Sequence, residues 1–513
     1  MGKYVDSPKL SIFSKMSNTS QIQVALDLPE KVEKDKNVSH PSSLCSSHFS
    51  QTPYELLKSS VKIKSLKKIY DDKFESSTTK GIDRLSGIQF RKQSKSQFKV
   101  IKKKCLNGTY RFSPYLELLR SKGRDKPPRL LAIPTVRDRI VLYALKEILF
   151  QIFPDCVPRK LANTYIYDIK KFVSSRSPSE VSILRADVEN FYGSINREKL
   201  FIKLKKRIKS YKLLSLIKKA IETPIVPNNY SRKDRKEYVK ESKGIGIPQG
   251  LSISNILAHI YLYDFDHLIK NHNCVNVYYR YVDDILIFSE KDKIDKIEIL
   301  FKSELKNIDL NCNFNKTYKK SGQEEFEYLG YRFKLPTVTI RLSTIERFIH
   351  SITAKFSSYI HNRTKNLQSK YAVDKLKENF VVNLNEKITG AISEKRKYGW
   401  IFYFSAINDM SVLYKIDNII AGLFKRLEDF DRIPPANLKK ISRAFYEAKY
   451  NPEGGYIHDY NSYQTVKQKS DFLGQRGHLE PEKEYSGEEI EKLFEAIKQR
   501  NLSELERDDS WLY

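Results

Sequence analysis

Apolar positions along the 513 residues fall into alternating helical and strand periods up to about residue 340 and into helical periods beyond it. From residue 53, Tyr54, Leu56, Leu57, Val61, Ile63, Leu66, Ile69 and Tyr70 mark helices, and the polar run 76–83 is a loop. Gly and Pro punctuate 121–134, which reads as a hairpin with basic residues on it, and a helix follows from Arg137. Residues 181–187 form a continuous apolar strand that ends in a carboxylate, and 188–195 turn into a helix. Residues 202–212 read as one amphipathic helix with a Lys/Arg face, 228–243 as a charged loop, and 244–255 as a Gly-rich lead into the apolar helix 256–269. Next come two strand-like runs within 275–288, an amphipathic helix over 291–307, and a short aromatic hairpin over 326–333. Beyond 340 the pattern is mostly helical to the end, jointed at Pro434-Pro435 and interrupted by Gly454-Gly455, with a last helix from Ser486. Residues 1–50 are rich in Ser, Lys and Asn, have weak periodicity, and read as a loosely ordered arm.

Charge changes this picture most. The formal net charge is +30, so a polyanion is the expected partner, and nucleic acid fits best. Residues 477–513 run the other way, with eleven acids and five bases; such a tail can pack on a basic patch, repel stray nucleic acid or simply be solvated, and solvation is the favoured reading. No apolar run of about 18 residues and no signal-peptide pattern appears, which argues against a membrane and for a cytoplasmic setting. Five scattered cysteines without a CxxC pair indicate neither a zinc site nor a disulfide framework.

The chemistry concentrates in Tyr281-Val282-Asp283-Asp284. Adjacent acids at the tip of an apolar hairpin repel each other and resist desolvation, and a divalent cation removes both penalties. An ordinary Asp-Asp turn satisfies the same local pattern, so context must decide. Asp187, at the end of a core strand, suits either a site carboxylate or a helix N-cap. Lys126 and Arg129 on the basic hairpin suit a triphosphate. Gln249 and Gly250 begin a helix that a phosphate or base can approach closely.

In this order, the motifs resemble those of the fingers–palm–thumb reverse transcriptases over roughly residues 55–425. The likeness is greatest to the bacterial type related to group II intron enzymes, carried by Thr79-Lys80-Gly81-Ile82-Asp83, Gly108-Thr109-Tyr110-Arg111-Phe112 and the run 133–141. The resemblance implies an α+β right-hand polymerase: fingers, a palm with an antiparallel sheet, and a helical thumb, here with a helical C-terminal extension. The implied divisions are an arm over 1–50, fingers over 51–180, palm over 181–338 with fingers insertions at about 200–243, thumb over 339–428, and extension with acidic tail over 429–513. It further implies that Asp187, Asp283, Asp284 and the Val188 carbonyl hold two Mg²⁺ ions, for which Mn²⁺ can substitute. Tyr192 would be the aromatic gate under the sugar of an incoming dNTP. Gln249, Gly250, Arg129 and Lys126 would bind that nucleotide, and Lys316 would protonate the leaving pyrophosphate. Leu329 and Gly330 would grip the primer, and Val282 would lie against its end.

No Cys/His pairs follow Cys312, so the endonuclease of mobile intron enzymes is not expected, and retron motifs are absent. A free-standing polymerase with a helical extension is similar to the bacterial defence-associated and abortive-infection reverse transcriptases, which implies a noncoding RNA partner, a DNA product and an anti-phage role. Two alternatives stay open: an untemplated or protein-primed DNA polymerase with RNA as scaffold, and an intron maturase acting as an RNA-binding splicing factor. Arm and tail would suit a homo-oligomer, though their patterning does not require one.

Overall fold

The computed structural model describes residues 51–513 apart from 122–126, 159, 232, 234–237, 239–243, 366–369, 481–482 and 511–513. The arm assigned to 1–50 and Lys126 lie outside the described residues. Strand β1 (Tyr115–Arg120) pairs antiparallel with β2 (Arg129–Ile133), which places Arg129 on a strand opposite Arg120. The helix Val136–Ile152 follows, its start capped by Thr135, whose hydroxyl accepts from the Asp138 N–H at 3.2 Å.

The central sheet is built on β3 (Val181–Asp187). The two-residue strand β4 (Ile225–Val226) joins β1 instead. Strands β5 (Val277–Tyr281), β6 (Asp284–Glu290) and β7 (Tyr318–Ser321) complete the sheet in the order β5-β6-β3-β7, antiparallel throughout. Its strands lack an apolar/polar alternation because both faces are covered. Leu184, Ala186, Ile285 and Ile287 pack in the core that holds the helices Ser254–Lys270 and Ile294–Asn307. Val181, Ile183, Leu286 and Phe288 pack in a second core with an aromatic hairpin and the C-terminal helices. That hairpin is β8 (Phe326–Tyr328) and β9 (Tyr331–Lys334), extended by β10 (Thr337–Ile340), with Phe326 stacked on Phe333 at 4.7 Å.

The structure corrects two expectations. Residues 202–212 are not one helix: Arg197–Arg207 ends, and Ser210 caps a second helix, Tyr211–Glu222. The region beyond 340 is mostly helical, as expected, with three short strands set among the described helices. The helices Leu342–Lys365 and Lys370–Thr389 are followed by β11 (Ala391–Ser393) and β12 (Arg396–Tyr398), and β13 (His458–Asp459) joins β11 in parallel. Positive φ at Gly390 (68°), Glu394 (54°) and Gly399 (113°) breaks the helical path there. The acidic end is not simply solvated. Its helix Gly487–Ser510 buries Ile490, Phe494, Leu502 and Leu505, and Glu504 pairs with Lys355 of the helix Leu342–Lys365 at 2.7 Å.

Candidate active site

The hairpin of β5 and β6 closes on Val282 and Asp283, with Tyr281 opposite Asp284. Val282 sits at φ +57°, where a β-branched side chain is strained by roughly 1–3 kcal/mol. A buried arginine holds the turn in place. Arg280 Nη1 donates to the Val282 carbonyl at 3.0 Å, and its Nε donates to Asp266 Oδ1 at 2.7 Å. Asp266 also accepts from the Tyr278 hydroxyl (2.6 Å). The remaining Arg280 nitrogen, Nη2, reaches Asp266 and lies 3.1 Å from His259 Nδ1. Burial and the Arg280 charge push the His259 imidazole down to about 3, so the ring is neutral and accepts.

Asp187 ends β3 directly across from Asp284. It is not a helix cap: the short helix Phe191–Ser194 is preceded by Asn190, in a left-handed conformation. Lys316 Nζ lies 2.9 Å from Asp187 Oδ2, brought there by the 3₁₀ turn Phe314–Lys316. The Val188 N–H donates to the Asp283 carbonyl at 3.1 Å and so ties the turn to β3. Asp284 turns to Arg185, which donates from Nε and Nη2, each at 3.2 Å. Burial, then the Asp187 charge, pushes the Asp283 carboxyl up to about 6. Among the described residues Asp283 has no ion pair, and no three acid, imidazole or thiolate side chains gather into one metal-sized cluster. The donor chemistry still fits hard divalent cations: Asp187 and Asp283 are oxygen donors whose mutual repulsion a cation relieves. Asp284, expected beside them as a ligand, is engaged by Arg185.

The nucleotide-side residues converge on the same place. Burial and the Asp283 charge raise the Tyr192 hydroxyl to about 12 while the Arg129 charge opposes them, so these three groups are electrostatic neighbours. The Tyr192 carbonyl accepts from the Ile247 N–H at 2.8 Å, and the Gln249 carbonyl from the Ala132 N–H of β2 at 2.7 Å. Gly250 is required there: its φ is +98°, and a Cβ would stand 2.8 Å from the Ala132 carbonyl oxygen. Leu329 and Gly330 form the β8–β9 turn, both at positive φ. The Leu329 carbonyl accepts from the Tyr403 hydroxyl at 2.9 Å. Tyr328, beside them, reaches the Asp284 carbonyl at 3.4 Å.

Sequence reasoning missed Arg185 and Arg280. The available signal was a lone guanidinium inside each apolar strand, in Leu184-Arg185-Ala186 and Tyr279-Arg280-Tyr281, where an unpaired charge would not be tolerated.

Residues 121–333 match the family described as "Reverse transcriptase (RNA-dependent DNA polymerase)". These residues carry the chain's likeness to that family. The relatives point to the group II intron lineage. The group II intron-encoded protein LtrA of Lactococcus lactis is 25% identical over 225 residues, covering 42% of this chain and 34% of its own length. An uncharacterized 91 kDa protein in the cob intron of Schizosaccharomyces pombe is 27% identical over 173 residues, covering 32% of this chain and 19% of its own. The chain thus spans about a third or less of the curated relatives it matches. Among solved structures, apo telomerase from Candida tropicalis aligns at a TM-score of 0.36 with 13% identity, over 78% of this chain and 68% of that one. The reverse transcriptase match and the antiparallel sheet carrying the acid hairpin, with helices behind it, are those of the right-hand polymerase fold.

Two outcomes follow for the acid hairpin. The raised Asp283 carboxyl means that the folded state binds more protons than the unfolded chain, so stability falls as pH rises from about 4 through about 6. Without divalent cations, Asp283→Asn should therefore raise Tm at pH 7.5 and have little effect at pH 4.5; equal shifts at both pH values would remove this electrostatic account. For the turn, Arg280→Met removes the buried guanidinium that joins the Val282 carbonyl to the partly exposed Asp266 and should cost about 1–3 kcal/mol in chemical denaturation. Arg280→Lys, which keeps the charge but loses the fork, should cost clearly less.

Proposed function

We propose that the protein is an RNA-directed DNA polymerase that extends a primer 3′-hydroxyl with dNTPs at the Asp187/Asp283 pair. The observation that carries this reading is the convergence of those acids with Lys316, Arg129 and Tyr192 inside a reverse transcriptase domain. Asp187, Asp283 and the Val188 carbonyl would hold two Mg²⁺ ions, and Asp284, engaged by Arg185, fixes the hairpin beside them. When bound, the ions lower the pKa of the primer hydroxyl and neutralise charge developing at phosphorus. Arg129 and the Gln249–Gly250 backbone receive the triphosphate, with Lys126 as a further cation from the same hairpin. Lys316 Nζ, 2.9 Å from Asp187 Oδ2, is the group placed to give a proton to the leaving pyrophosphate. Tyr192 lies under the sugar and excludes a 2′-hydroxyl. Leu329, Gly330 and Val282 hold the primer end.

The partners under this reading are an RNA template and its DNA product. The likeness to defence-associated reverse transcriptases, a chain with a helical extension past the thumb and no Cys/His nuclease pairs, supports a noncoding RNA and an anti-phage setting in the bacterial cytoplasm. No described helix is long and apolar enough to cross a membrane.

Purified protein should incorporate dNTPs on an RNA template only with Mg²⁺ or Mn²⁺, and Asp187→Asn or Asp283→Asn should lower the rate at least about 10³-fold. Retained synthesis in Asp283→Asn would sink the polymerase reading, and untemplated product sequences would replace it with a transferase. Tyr192→Val should admit ribonucleotides, seen as a fall in the dNTP/NTP ratio of kcat/KM of at least about tenfold. An unchanged ratio would remove Tyr192 as the gate.

A further inference from the structure

Exposed aromatic side chains and cations, one of them half-buried, also lie together away from the catalytic acids. The helix Ala162–Ser174 starts against the acid hairpin, where the Tyr165 ring stands edge-on to Tyr279 and Tyr281 at 6.0 and 6.3 Å. Lys170, about 7.5 Å further along this helix, donates from Nζ to the Ala406 carbonyl at 2.7 Å. Tyr167, exposed beside it, shares a hydrogen bond with Ser405 at 3.0 Å. Burial, then the charge of Lys449, lowers the Lys170 ammonium, so the two lysines feel each other's charge.

Lys449 belongs to the helix Ile441–Tyr450. This helix is anchored by Ile441, Ala444, Phe445 and Ala448, all buried. Its opposite face carries Arg443, Tyr446, Lys449 and Tyr450. Tyr446 is 45% exposed and Tyr450 64%, with ring centroids 6.4 Å apart and planes within 22° of parallel. Lys449 Nζ lies 5.2 Å from the Tyr450 ring, and the Arg443 guanidinium lies 4.4 Å from Tyr456. The nearby acid, Glu447, is paired with Arg443 at 3.2 Å.

Packing does not require these rings outside, because the buried face already anchors the helix. Exposed aromatics interleaved with cations suit a ligand with flat apolar faces and regularly spaced negative charge. A duplex hides its base faces, and an apolar protein surface gains nothing from Lys170 and Lys449. We propose that Tyr446 and Tyr450, with Lys170, Lys449 and Arg443, bind single-stranded nucleic acid, bases stacking on the tyrosines and phosphates meeting the cations. The helix Ala162–Ser174 connects this surface to the acid hairpin. The direction of that path rests on the polymerase reading, but the binding does not.

The test uses the full chain without dNTPs or divalent cations and two single strands of about 20 nucleotides, one RNA and one DNA, carrying photo-crosslinking uridine or deoxyuridine analogues. Crosslinks should map to the peptide containing residues 441–450, and the RNA and DNA arms report which strand is preferred. Tyr446→Ala with Tyr450→Ala should reduce that crosslink at least about tenfold, and the Phe pair should retain it, because stacking needs the ring and not the hydroxyl. Lys170→Ala with Lys449→Ala should lower the salt slope of binding, measured by anisotropy, by about 1.4. No crosslink on this helix with either strand, or equal losses in the Ala and Phe pairs, would overturn the proposal. Circular dichroism checks that each variant is folded. An Asp283→Asn protein that keeps the crosslink separates this surface from the catalytic site, and failure of polymerisation alone leaves the binding result standing.

Discussion

Everything near the acid hairpin is arranged around the repulsion between Asp187 and Asp283. Two carboxylates held together with little solvent resist joint ionisation, and burial adds to that resistance. Three basic side chains manage the problem in different ways. Arg185 takes Asp284 out of the contest with a two-pronged contact, so the hairpin carries one neutralised acid and one unpaired acid. Lys316 reaches Asp187 from a turn that is half exposed, which leaves it free to exchange partners. Arg280 touches neither site acid and fixes the backbone carbonyl just before Asp283. The remaining imbalance sits on Asp283, where a cation gains most by arriving.

This division of labour explains why the sheet is covered on both sides. A strained Val282 turn persists only if its surroundings over-determine it. One face supplies Asp266 and His259 from the helix Ser254–Lys270, which complete the Arg280 cluster. The other face supplies the β8–β9 hairpin, whose Tyr328 reaches the Asp284 carbonyl and whose Leu329 is tied to Tyr403. Loosening either layer would let the turn relax toward a negative φ and carry the Asp283 carboxylate away from Asp187.

Much of this was legible in the sequence, for a physical reason. The acid hairpin, the strand ending in Asp187 and the Gly-Ile-Gly-Ile-Pro-Gln-Gly lead are local patterns, and local pattern determines strand, turn and close backbone approach. The partner of Asp284 was not legible, because it depends on the register of β3 against β6, which places Arg185 diagonally across from it. The role of Arg280 was hidden likewise, since its acid lies on a helix that packs only in the folded chain. Strands β11 and β12 escaped because three residues are too few to distinguish a period of two from a helical one. The acidic end misled because net charge says nothing about the other face of its helix, where Phe494 and Leu505 pack.

The acidic helix also bears on how so basic a chain avoids indiscriminate binding. Its Glu504 sits among Lys355, Lys387 and Arg500, whose charges, against the opposing effect of burial, hold the Glu504 carboxyl below its ordinary range. These cations are therefore already answered from within the chain, whereas Lys449 stands among aromatic rings. Internal neutralisation at the C-terminal helix and cations set beside aromatic rings are opposite uses of one excess of positive charge. The first withdraws basic surface from nucleic acid, and the second leaves it where stacking can add selectivity for unpaired strands. A uniformly basic surface would bind any phosphate backbone and hold it nowhere in particular. Under the proposed binding, charge concentrated beside the rings of the helix Ile441–Tyr450 would hold a strand at one place rather than anywhere on the surface.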